Sequence, residues 1–108
     1  MSIVGNFPQG SSPKKVIEAT LSKNLWADMT AAAGLKYLYT LNITDTVAYS
    51  DKTRVTWSPG NGCYWACYDS GVVSLNPGFG NGVLSNLKFY AKTKPSIDIS
   101  IVIMIEEE

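Results

Sequence analysis

Between Ile97 and Ile105 the chain places isoleucine at every second position: Ile97, Ile99, Ile101, Ile103 and Ile105. A period of two is the period of an extended strand, so all five side chains fall on one face. β-branched residues also suit a pleated, half-buried surface. The opposite face begins polar at Ser96, Asp98 and Ser100 and turns apolar at Val102 and Met104. The strand is therefore expected to start half wet and end buried on both sides. Just upstream, Leu87, Phe89 and Ala91 alternate with Lys88, Tyr90 and Lys92, and Thr93-Lys94-Pro95-Ser96 reads as a turn. Together these residues predict a central hairpin.

The preceding chain continues in short extended pieces. Ile17, Ala19 and Leu21 alternate with Val16, Glu18 and Thr20. Tyr37, Tyr39, Leu41 and Ile43 alternate with Leu38, Thr40 and Asn42. Thr53, Val55 and Trp57 lead into the turn signal Ser58-Pro59-Gly60. Ser22–Gly34 reads as a short helix or a helical loop, with Ser22 as cap and Gly34 as stop. Asn61–Ser70 is short enough for one or two helical turns closed by Gly71, and Val72–Leu75 resumes an extended path. Asn76-Pro77-Gly78-Phe79-Gly80-Asn81-Gly82 reads as a flexible connection. The expected fold is mainly β, a small antiparallel β-sandwich with one or two short helices.

Residues 1–13 are expected to form an extended N-terminal arm, and 14–108 a single domain. Pro8, Gly10 and Pro13 argue against a helix or a central strand in the arm. Ile3, Val4 and Phe7 are too apolar for a solvated tail, so these three are the expected attachment contacts. Val102 and Met104 are the expected oligomer contact, because a lone sandwich would leave that face wet. Glu106, Glu107 and Glu108 would then act as a charged stop against further edge pairing.

Chemistry is sparsely supplied. Nine basic residues balance nine acidic ones, with no basic stripe to suit a nucleic acid, and histidine is absent. The usual neutral-pH base is thus missing, and serine has no partner for a catalytic triad. Asp45, Asp51, Asp69 and Asp98 lie apart, in turns or strand starts where Asp satisfies local backbone donors. No enzyme activity and no cofactor are expected. No stretch reads as a signal peptide or reaches membrane-spanning length, so the product is expected to be made and kept in a reducing cytoplasm before it acts. Cys63 and Cys67 cannot complete a zinc site and read as two small buried hydrophobes, with a disulfide as the lesser alternative. Trp57, Tyr64, Trp65 and Tyr68 could form a stacking platform for a sugar or peptide, or could pack into the core beneath a short helix.

Three stretches resemble small modules of bacteriophage particles, chiefly phages of Gram-positive hosts, known as tail-fibre or structural domains. Tyr37–Ile43 with Thr53–Gly60 is similar to the family's paired strands ending in a valine-x-x-Ser-Pro turn. Trp65–Leu75 is similar to its short helix closed by Gly-Val, and Gly82–Ile105 to its closing Pro-x-x-Asp-Ile and alternating aliphatics. The likeness covers about residues 36–105; the arm and Ser22–Gly34 depart from the pattern. It implies a β-sandwich on a phage particle, often trimeric, and carries no catalytic residues. The expected role is a non-catalytic virion protein made in the host cytoplasm, a capsid decoration or head-fibre protein contacting other virion proteins. The alternative is a host-binding tip that contacts a surface glycan.

Overall fold

The structure, a computed structural model, describes residues 13–29, 34–74 and 77–107. The proposed arm contacts Ile3, Val4 and Phe7 lie outside the described residues. Among the described residues, eight strands and one α-helix follow in the order β1 (Pro13–Leu21), β2 (Ala27–Asp28), β3 (Tyr37–Asn42), β4 (Thr53–Pro59), α1 (Tyr64–Ser70), β5 (Val73–Ser74), β6 (Gly78–Gly80), β7 (Val83–Ala91) and β8 (Ile99–Glu107). The fold is mainly β: two antiparallel sheets packed face to face. The smaller has the order β1-β8-β4, the larger β2-β3-β7-β5, with β6 also on β7.

The isoleucine strand is the centre of the small sheet, as its alternation requires. Ile99, Ile101, Ile103 and Ile105 are each 1% exposed or less. They face Leu84, Leu87, Phe89, Ala91 and Tyr39 of the larger sheet within one core. Along β8, Ile103 sits between Ile17 of β1 and Trp57 of β4. The Trp57 ring then meets Phe89 of the opposite sheet edge-on at 5.2 Å, which joins the two layers.

Four expectations need correcting. The first is the central hairpin. β7 and β8 never pair; each lies in a different sheet. Residues 92–98 instead cross from one layer to the other, so Ile97 falls outside β8 and is 49% exposed. The crossing is fastened by Asp98, whose carboxylate accepts a hydrogen bond from the Lys23 backbone at 2.9 Å. That donor is far away in sequence, where the turn reading expected a local one.

The second correction concerns Ser22–Gly34. Among its described residues, Ser22–Met29 form a turn and the short strand β2 rather than a helix. Trp26 is buried there, edge-on to Tyr39 at 5.4 Å. Burying that indole in the core overrides the weak helical spacing.

The third is the glycine-rich connection. It contains a tight hairpin, β6 to β7, turning at Asn81 and Gly82 with φ of 54° and 73°. Two successive positive φ values are what a two-residue hairpin loop with right-handed twist requires.

The fourth lies at the C-terminal end. Glu106 and Glu107 belong to β8 and pair with Arg54 and Thr53 of β4, so they are strand residues, not a stop beyond the sheet. At the other end Pro13 already belongs to β1.

Candidate functional site

The most prominent chemical surface grows from the end of β4. Trp57 and Pro59 finish the strand, and Gly60-Asn61-Gly62-Cys63 reverses the chain. The Cys63 N–H donates to the Gly60 carbonyl at 2.9 Å, and Asn61 and Gly62 both have positive φ. The seven-residue helix α1 starts immediately afterwards. Its inner side carries Cys67 and Ser70, both buried. It ends on Gly71, at φ 67° and ψ 42°, whose N–H and that of Val72 close onto the Tyr68 and Cys67 carbonyls. This is a Schellman closure.

Since the inner side is occupied, the remaining aromatics must point outward. Tyr64, Trp65 and Tyr68 are 55%, 65% and 67% exposed. They hold one another: Tyr64 and Tyr68, one turn apart, lie nearly parallel at 6.2 Å, and Trp65 meets them edge-on at 5.0 and 5.7 Å. Beside them runs an open groove of about 390 Å³ lined by Trp57, Pro59, Tyr64, Tyr68, Val73 and Lys92 among others. The Lys92 stem passes over Gly71, where a Cβ would meet it at 3.0 Å. The Lys92 N–H is pinned to the Ser70 carbonyl at 2.8 Å.

The four aromatics singled out from sequence therefore divide. Tyr64, Trp65 and Tyr68 form one exposed platform. Trp57 is a half-buried core residue, and only part of it reaches the groove. Trp65 stands on the platform but does not line the groove. Sequence reasoning missed Val73, which joins the site through its pairing with Tyr90 on β7, and Lys92, which joins it where residues 92–98 leave the large sheet. The alternation Ala91-Lys92 was visible; the direction of the crossing was not.

Cys63 and Cys67 are buried free thiols that serve packing. The Cys63 sulfur accepts the Ser100 N–H at 3.3 Å and so ties α1 to β8. Burial, helped by the neighbouring Cys63 sulfur, pushes the Cys67 thiol up to about 11, so it stays protonated at neutral pH.

The expected oligomer contact lies elsewhere, on the outward face of the small sheet. Val102 and Met104 are half-buried, not enclosed on both sides. Met104 lies directly across from Val16, which is 53% exposed, and Val102 from Glu18. Thr56 and Ser58 flank them on β4. The apolar strip is real but narrow, and polar neighbours border it. Among the described residues no helix is long and apolar enough to cross a membrane, and no three His, Cys, Asp or Glu side chains gather as a metal site.

Comparisons with protein-family models, curated proteins and solved structures found no match to this chain.

Proposed function

We propose that this chain is a non-catalytic structural protein displayed on the surface of a bacteriophage particle, as a capsid decoration or head-fibre protein. It assembles as a homotrimer and attaches to other virion proteins through its N-terminal arm. The observation that carries the reading is how much apolar surface one small domain leaves open in two separate places. These are the Tyr64, Trp65 and Tyr68 platform and the Val16, Val102 and Met104 strip. Contiguous exposed apolar patches on small domains mark contact surfaces. The chain has no histidine, the usual base at neutral pH. The resemblance of residues 36–105 to phage modules supplies the setting.

A second reading, a host-binding tip, is favoured by the aromatic groove itself, which is shaped for a ligand. Immunogold microscopy of purified particles, with and without residues 2–12 of this chain, tests the first. Label over the head that disappears on deletion supports decoration through the arm. Label confined to the tail end, with adsorption to host cells lost when the chain is removed, supports the tip. No label on any particle would refute both.

A further inference from the structure

We propose that the groove between α1 and the end of β4 binds an acidic oligosaccharide, its sugar rings on Tyr64 and Tyr68 and its anionic group at Lys92. The inference rests on reading the aromatic face as a contact surface and goes on to name what it contacts.

Size decides first between a protein partner and a small ligand. A stable protein interface buries about 800 Å² on each side. A fully covered aromatic contributes about 150–250 Å², so the exposed parts of Tyr64, Trp65 and Tyr68 offer roughly 400 Å² together. That is half of what a second copy of this chain would need. The groove volume of about 390 Å³ instead falls within the small-ligand range of about 300–1,000 Å³.

Shape and polarity then choose the class. The groove is open along one side, so its ligand keeps one face in water. An apolar metabolite gains from a pocket that encloses most of its surface, and this one does not. A sugar ring suits it better. Its C–H face packs on the tyrosine rings, while its hydroxyls meet the Tyr64 and Tyr68 hydroxyls and the solvent.

Charge supplies the last step. Among the described residues, Lys92 is the one charged residue lining the groove. Its backbone is fixed at Ser70 and its stem is laid over Gly71, so Lys92 lines the groove together with Tyr64 and Tyr68. A carboxylate, sulfate or phosphate on the sugar is its complement.

The test is an array of neutral, uronate-bearing, sulfated and phosphorylated oligosaccharides probed with the full chain and with Tyr68→Ala and Lys92→Gln. Thermal melting of each variant serves as the fold check. Acidic glycans should be retained. Tyr68→Ala should lower their binding at least tenfold. Lys92→Gln, or 0.5 M salt, should lower acidic binding several-fold and leave neutral chitotriose unchanged. Acidic glycans no better retained than on Tyr68→Ala would overturn the proposal, as would capture of acidic peptides in their place. Equal retention of neutral glycans with a silent Lys92→Gln would overturn its anionic part. Adsorption by particles carrying Tyr68→Ala separates the two levels. Lost adsorption with a blank array keeps the contact surface and discards the saccharide. A positive array with normal adsorption keeps the saccharide and discards the host-contact reading.

Discussion

Ile103→Ala probes the point where the two sheets are locked together. Ile103 is fully buried on the central strand, with Ile17 to one side and Trp57 to the other. Trp57 in turn leans on Phe89 across the layers. Replacing isoleucine by alanine deletes three carbons, about 2.4 kcal/mol at about 0.8 kcal/mol each. The cavity adds to this, because β8 is paired on both sides and cannot collapse into the gap. The whole loss should therefore lie toward the upper part of the range of about 2–5 kcal/mol. A domain of this size holds only about 5–15 kcal/mol in all. With a urea m-value of roughly 1–3 kcal/mol/M, a loss of about 4 kcal/mol moves the midpoint down by about 1–4 M. Ser100→Ala, three residues away on the same strand but on the outward face, is the control and should cost less than about 1 kcal/mol. Equal midpoint shifts for the two variants, or no shift for Ile103→Ala, would refute the assignment of the inner face.

Gly82→Ala should lose roughly 1–2 kcal/mol from left-handed backbone strain alone, since no atom lies within 4 Å of the added Cβ; urea midpoints check this. Gly71→Ala should lose more, because its Cβ also meets the Lys92 stem at 3.0 Å. Cys67 ionises near 9.0 when free but near 11 when folded. Its contribution is therefore fully present below about pH 9 and lost as pH rises toward 11. A Cys67→Ala chain should show the shallower fall in stability over that window. If the proposed trimer forms through the outer strip, sedimentation should give a trimer for the parent and a folded monomer for Met104→Lys. A parent that stays monomeric at high micromolar concentration would count against it.

Alternation made most strands legible. Residues 15–21, 37–42, 53–59 and 87–91 all carry the period of two that one buried face imposes, and each is a strand in the structure. The helix α1 could also be anticipated, because Gly71 marks its stop. The Asn81-Gly82 hairpin was present in the sequence as a dipeptide that favours two positive φ values. It was hidden by the surrounding glycines, which suggested looseness where the pair dictates a tight reversal.

Sheet membership was another matter. Leu87–Ala91 and Ile99–Ile105 are separated by seven residues and share the same alternation, so local pattern favours joining them as a hairpin. Pattern reports that a face is buried; it does not report against what. Here β7 and β8 bury their faces against each other across the layers, and each takes hydrogen bonds along one edge from a strand distant in sequence, Pro13–Leu21 for β8 and Tyr37–Asn42 for β7. The crossing stretch 92–98 is held by equally distant groups, Ser70 at its start and Lys23 near its end. The same crossing sets the site. Because the chain leaves the large sheet at Lys92, that residue arrives beside α1, whose aromatics face outward only because Cys67 and Ser70 take the inner side. The aromatic half of the groove could be named from composition and spacing; its charged half depends on a topology that no local period encodes.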